Sequence, residues 1–242
     1  YGTTGLAVFL DSAPIVPTAR PLVVLYNPAA GFHTMPLALV ALGSGLDRTR
    51  VDVRIIDGRV EPNPTAAVIA ATRDAACLGV TALTGAPLRD ALRVTRAVAA
   101  ARPALPIVWG GWHPSLFPSA PLREGGVVAT VQGQGERAFA DIIERLLGGE
   151  PLHGIAGVTT TDETGAVQQT PARPAEDVNR FPAADYGLIP VEAYFRAKGQ
   201  RQLDYVSSQG CRFRCAFCAD PTVYGRSWSG LAPERVGDEL AY

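Results

Sequence analysis

Cys211, Cys215 and Cys218 stand in a C-x3-C-x2-C array within Ser-Ser-Gln-Gly-Cys-Arg-Phe-Arg-Cys-Ala-Phe-Cys. Three thiolates in so short a span, on a loop that starts at Gly210, suit three corners of a cubane iron–sulfur cluster, whose usual ligand is cysteine thiolate. A fourth iron would then lack a protein ligand and stay open to a small molecule. Zinc is the rival, but a structural zinc site closes four ligands, often as paired C-x2-4-C units or Cys with His. No second Cys pair follows, and the nearest histidine, His153, lies far upstream. A disulfide accounts for less, because three cysteines leave one unpaired. Cys77 sits in an apolar run and reads as a small buried hydrophobe.

The elements that must position this loop can be read from periodicity. The chain has 242 residues, 47% of them apolar and 19% charged, which suits one large or two modest globular domains. A formal net charge of -1 gives no electrostatic case for nucleic acid. Apolar stretches are broken well short of a membrane span, and no basic start leads into an apolar run, so neither a membrane partner nor a signal peptide is expected. Few, clustered cysteines fit a reducing cytoplasm. A start at Tyr1 and a finish inside a helical pattern are read as a piece of a longer protein.

Short apolar runs at 22–26, 51–56, 77–82, 106–109 and 127–131 predict strands. Helical patterns at 36–46, 65–73, 87–101, 119–124 and 136–147 follow them in turn, the last closed by Gly148-Gly149. This alternation predicts an α/β fold with an open parallel sheet covered on both faces. A hairpin is expected from 154–161 and 166–170, turning at Asp162-Glu163-Thr164-Gly165, and the Pro- and Ala-rich stretch 171–190 reads as linker. Residues 203–208 then predict the first strand of a new domain, with a helix from Ala232. The expected division is an extension at 1–20, a sheet domain at 21–150, hairpin and linker at 151–200, and the start of a second domain at 201–242.

Glycines mark the edge of the sheet that is used. Asn27 to His33, Thr84-Gly85, Gly110-Gly111-Trp112-His113-Pro114 and Gly133-Gln134-Gly135-Glu136 all follow predicted strands, and so gather on one rim. Ligands of open α/β sheets bind outside the carboxyl ends of the strands, although each turn taken singly also reads as a helix cap. Gly133-x-Gly135-x-x-Ala138 matches a dinucleotide fingerprint, but it lies in the last βα unit and Glu136 sets a carboxylate where pyrophosphate would bind. Nicotinamide binding is not expected.

The cysteine loop, with its Gly210, its preceding apolar run and Phe217 before the third Cys, resembles that of radical S-adenosylmethionine (SAM) enzymes. A parallel-sheet domain ahead of it is similar to the cobalamin-binding class of that family. The further marks are Met35-Pro36-Leu37-Ala38-Leu39, Gly110 to Pro114, Gly133 to Glu136 and Asp220-Pro221-x-x-Tyr224-Gly225. Within the class the chain looks most like the group of the anaerobic magnesium-protoporphyrin monomethyl ester cyclase. The resemblance implies a Rossmann-like, flavodoxin-like cobalamin-binding sheet followed by the first βα unit of a partial TIM barrel. It implies a [4Fe–4S] cluster on Cys211, Cys215 and Cys218 whose open iron chelates SAM, and cleavage of SAM to a 5′-deoxyadenosyl radical. Cobalamin would then assist methyl transfer or cyclisation on a small-molecule substrate these residues do not name. A reductant such as flavodoxin or ferredoxin would supply the electron.

The resemblance also implies cofactor contacts at Thr81, Thr84, Gly110, Gly111, His113, Gly133, Gly135, Glu136, His33 and Phe217. Many cobalamin proteins carry Asp-x-His-x-x-Gly, and none of His33, His113 or His153 stands in that setting. The lower face of cobalt would be covered instead by loops that include His33, Thr81 and Thr84, although His33 alone also reads as a packing residue. His113 is expected to hydrogen-bond the corrin rim or tail. Phe217 either lies near the adenosyl group or plugs the loop into the barrel floor. Arg212 and Arg214 read as solvated, and Tyr224 and Trp228 are open between lining a site and packing. The rival class is a non-catalytic cobalamin- or metal-binding module; a radical SAM enzyme without cobalamin stands between the two.

Overall fold

The computed structural model describes residues 20–241, so the expected extension lies, apart from Arg20, outside the described residues, as does Tyr242. Seven strands form one sheet: β1 (Leu22–Asn27), β2 (Asp52–Asp57), β3 (Ala75–Thr81), β4 (Ile107–Gly110), β5 (Val127–Val131), β6 (Val158–Thr161) and β7 (Val167–Gln169). They lie in the order β2-β1-β3-β4-β5-β6-β7. β1 to β5 are parallel, while β6 pairs antiparallel with β5 and β7 antiparallel with β6. Helices α1 (Leu37–Gly45), α2 (Pro64–Ala71), α3 (Ala86–Ala101), α4 (Trp112–Leu116) and α5 (Glu136–Gly148) complete the layers.

Alternation along β1 shows why both faces are covered. Val23 and Leu25 point to a core shared with Leu39 and Val40 of α1 and Phe139 and Ile142 of α5. Val24 and Tyr26 point the other way, to Val68 of α2 and Ala91, Val94 and Val98 of α3. A strand buried on both sides needs a continuous apolar run, and Leu-Val-Val-Leu-Tyr supplies one. Cys77 lies in the first of these cores with no exposure, and burial pushes its thiol up to about 12.

The expected sheet strands are found with boundaries shifted by a residue or two, and three features differ in kind. The hairpin at β6 and β7 joins β5 and extends the main sheet, because β5 would otherwise leave an unpaired edge. Residues 112–114, expected within a glycine loop, open α4, and the helix expected at 119–124 is a 3-10 turn at Pro121–Arg123. Among the described residues no helix is long and apolar enough to cross a membrane.

After the linker comes a helix that periodicity did not reveal, α6 (Val191–Lys198), closed by Gly199 in the left-handed region. Its Tyr194 is fully buried and donates from its hydroxyl to Asp57 Oδ2 at 2.6 Å. Asp57 also accepts the Asn27 side-chain amide and the Arg59 backbone N–H at Oδ1, both at 2.9 Å. Burial raises the Asp57 pKa, against the lowering effect of these donors. The segment beyond α6 is anchored at Asp204. That side chain accepts the Met35 N–H at the start of α1 and the Lys198 ammonium, both at 2.7 Å, and its carbonyl accepts the Tyr186 hydroxyl at 2.6 Å.

The strand expected at 203–208 is shorter and later: β8 (Ser208–Gly210) pairs antiparallel with β9 (Trp228–Gly230). Leu203 and Val206 are instead exposed along the rim, where side-chain bonds to Asp204 take the place of a strand ladder. Short α7 (Asp220–Val223) and then α8 (Pro233–Ala241) follow.

Replacing Tyr194 with Phe keeps the ring but leaves Asp57 Oδ2 buried without its hydroxyl partner. The expected loss is about 2 kcal/mol in urea unfolding, with faster proteolysis in the linker before α6 than in the parent chain.

Candidate cofactor site

The rim at the carboxyl ends of β1, β3, β4 and β5 faces residues 202–210, and a cleft separates them. It has two lobes. The inner lobe, about 560 Å³, descends between the sheet, α1 and α5, with Leu25, Leu39, Leu42 and Phe139 among its apolar walls. The outer lobe, about 800 Å³, opens beside Asn27, Phe32, Arg59 and Leu83. Leu37, Ala38, Thr81, Trp112, Tyr205 and Val206 line both.

Of the expected contacts, Thr81, Gly110, Gly111, Gly133, Gly135 and Glu136 come together on the inner lobe. Gly111 has φ 92°, and a Cβ there would stand 2.7 Å from Thr81 Oγ1, so the turn closes tightly on β3. Gly110 and Gly135 differ: a Cβ on either would meet nothing closer than 3.6 Å. They present bare backbone to the cleft.

Four expected contacts, His33, Thr84, His113 and Phe217, lie outside the lining. His33 is exposed, with Nδ1 3.2 Å from the Arg59 carbonyl. Thr84 Oγ1 and His113 Nδ1 are 3.1 Å apart, and the His113 ring tilts against Phe117 at 5.3 Å. Burial lowers the His113 pKa, favouring the neutral ring.

Glu136 opens α5 and accepts its own N–H and that of Gly135, yet burial outweighs both and raises its pKa. Tyr224 stands in the same lobe, its pKa raised first by burial and then by the charges of Glu136 and Asp220. Asp220 Oδ2 in the inner lobe and Arg59 Nε beside the outer one are buried without a hydrogen-bond partner. Apolar walls, bare glycine backbone and orphaned polar atoms fit a large ligand that is apolar in part and polar at its edges.

Cys211 follows β8 directly. Gly210 has φ 78°, and a Cβ on it would collide with the Ser227 carbonyl, so only glycine closes this corner. Cys211 is half-buried, Cys215 and Cys218 are exposed, and the Cys218 N–H donates to the Cys215 carbonyl at 3.0 Å. The thiols share one loop but do not converge: no group of three or more His, Cys, Asp or Glu side chains is gathered for a metal among the described residues. The donor set still fits a cluster, since three free sulfurs on an exposed turn are soft ligands that rotation of their side chains can bring together. Phe217 is 94% exposed and plugs nothing among the described residues; Arg212 is exposed, over the Trp228 ring at 5.4 Å.

Two residues escaped sequence reasoning as site builders. Ser115 accepts the Gly133 N–H at 3.0 Å and donates to the Gly111 carbonyl at 2.7 Å, tying the two glycine turns together. Gln134, between two rim glycines, is buried. Its one signal was an amide set inside a glycine turn.

The family model described as the B12 binding domain matches residues 24–143. The uncharacterized methyltransferase PH0819 of Pyrococcus horikoshii is 34% identical over 210 residues, which are 85% of this chain and 45% of that protein. The anaerobic magnesium-protoporphyrin IX monomethyl ester cyclase of a Synechocystis strain is 23% identical over 86% of this chain and 42% of its own length. Among solved structures, the radical SAM methyltransferase TsrM of Kitasatospora setae superposes with a TM-score of 0.73 at 23% identity, over 91% of this chain and 45% of that one. The cobalamin-dependent SAM radical enzyme OxsB gives 0.77 at 23%, over 92% and 31%. The chain thus spans less than half the length of these relatives. It contains a B12 binding domain at residues 24–143, and that domain is related to those of B12-dependent radical SAM methyltransferases.

Proposed function

We propose that the cleft holds cobalamin and that Cys211, Cys215 and Cys218 hold a [4Fe–4S] cluster with one iron open to SAM, in a methyl-transferring or cyclising radical enzyme. The observation that carries this reading is the single cleft with the glycine rim of a B12 binding domain on one wall and the strand leading into the cysteine loop on the other. When bound, the cluster supplies reductive cleavage of the SAM sulfonium bond, and cobalamin supplies a carrier of the methyl group. Gly110 and Gly135 let a macrocycle's edge approach backbone, and the inner lobe takes an apolar ring away from water. Asp220 and Glu136 offer acceptors, or a proton held on Glu136, to polar edges of the ligand. Cys211, Cys215 and Cys218 give up their protons to become ligands. A small-molecule substrate and an electron donor of the flavodoxin or ferredoxin kind complete the reaction.

The chain, purified without oxygen and titrated with hydroxocobalamin, should show saturable uptake by visible absorption. Gly110→Val and Gly135→Val should leave melting nearly unchanged but weaken uptake at least tenfold; failure of the parent to take up cobalamin would remove cobalamin from the reading.

Reconstitution with iron and sulfide should give about four irons per chain, with an EPR signal shifted by SAM. Each of Cys211→Ser, Cys215→Ser and Cys218→Ser should lose most of that iron, whereas zinc persisting in its place would sink the catalytic account.

Glu136 makes folding depend on pH. Its folded pKa lies above the unfolded value, so its protonation favours the folded state and its contribution is lost as pH rises through the folded value. Urea unfolding should find Glu136→Gln gaining stability over the parent near neutrality, a gain that shrinks as pH falls into the ordinary glutamate range.

A further inference from the structure

Gln134 is 7% exposed and spends both ends of its amide on segments distant in sequence. Oε1 accepts the Glu176 backbone N–H at 2.7 Å, and Nε2 donates to the Glu176 carbonyl at 3.2 Å and to Gln209 Oε1 at 2.7 Å. Backbone groups cannot exchange donor for acceptor, so Glu176 dictates which end of the Gln134 amide is nitrogen. The remaining Nε2 proton then dictates the orientation of Gln209, whose own Nε2 reaches the Tyr224 hydroxyl at 3.4 Å. Tyr224 meets Trp112, the residue after Gly110-Gly111, edge-on at 6.4 Å. Ser115 joins Gly133 to Gly111 on the rim side. Two residues after Gln209 comes Cys211.

We infer that Gln134 is a positioning residue which, through Gln209, fixes the cysteine loop against the glycine rim and so sets the separation between the two cofactor sites. The inference rests on the two-cofactor reading above for its purpose, while the geometry it asserts is testable without either cofactor. Glutamine is required chemically: a glutamate in its place would set a carboxylate oxygen against the Glu176 carbonyl, acceptor facing acceptor, and would turn the Gln209 amide over, away from its bond to Tyr224. Neighbours in one hydrogen-bond network couple, so the variants should not be additive.

The test measures the separation directly in the full chain. Spin labels are placed at Arg89→Cys on α3 and Ser208→Cys on β8, both exposed in the parent, with Cys211, Cys215 and Cys218 changed to Ser and Cys77 protected by burial. Dipolar EPR should give one narrow distance in this background. Gln134→Glu and Gln209→Leu should each at least double its width, and the double variant should be no broader than the wider single. Hydrogen exchange in the unlabelled chain should agree, faster at β8 in Gln134→Glu with β1 to β5 unchanged. Unchanged widths, or a fall in melting temperature without broadening, would overturn the inference and leave Gln134 a local stabiliser. Hydroxocobalamin absorbance on the same chains separates the two readings: no uptake by the parent defeats the cofactor reading and leaves the distance result standing.

Discussion

Parallel strands place every strand-to-helix connection at one end of the sheet, and the order β2-β1-β3 makes two neighbouring connections diverge. The chain leaving β1 turns to α1 on one face, while the chain leaving β3 turns to α3 on the other. No backbone can then fill the space above β1 and β3, and a crevice opens there as a consequence of connectivity. The glycine turns, the orphaned polar atoms and the segment at 202–210 are all arranged around that gap. Its depth has a second cause. Leu25, Leu39 and Phe139 meet at the top of the α1–α5 core, so the inner lobe continues the core outward as apolar wall.

The segment that carries the cysteines reaches the sheet through polar anchors more than through apolar burial. Asp57 and Asp204 each collect several donors from different elements: strand, linker helix and helix start. Burying a carboxylate is costly unless its oxygens are satisfied, and a satisfied one adds little net stability. What such an anchor adds is direction, because donors at fixed angles admit few placements of α6 and of the chain after it. Apolar contacts alone, such as Ile189 in the same core, would tolerate sliding.

Much of the sheet could be read before any coordinates. Continuous apolar runs identify β1, β3, β4 and β5 because a strand buried on both faces leaves polar residues no place. The cysteine spacing and the clustering of Gly110, Gly111, Gly133 and Gly135 on one rim are likewise local patterns. What escaped was non-local. α6 is short and its decisive residue, Tyr194, is buried against Asp57, more than a hundred residues earlier in the chain. Residues 203–206 have strand composition, yet Asp204 among them bonds the N–H of Met35, just before α1, and a lysine of α6, and no ladder forms. His33 and Thr84 belong to rim turns and His113 to α4 just after one, but sequence carries no sign of which side of such a segment faces a cavity. Gln134 was visible only as a neighbour of glycines, since its role depends on Glu176 and Gln209 arriving from two later segments.

β7 has a meaning for the protein's behaviour in a crowded solution. Every open sheet ends somewhere, and an unpaired strand invites another chain to add itself. Here the last strand has three residues, Val167, Gln168 and Gln169, all exposed, and it follows a turn whose Asp162 is committed to Thr164, Ala166 and Gln168. A template so short, polar at two positions of three and tied to a charged turn, offers a neighbouring molecule little to extend. The hairpin thus ends the β5 side of the parallel sheet in an edge poor for extension, while β2, the other edge, carries Asp52, Arg54 and Asp57 along its length.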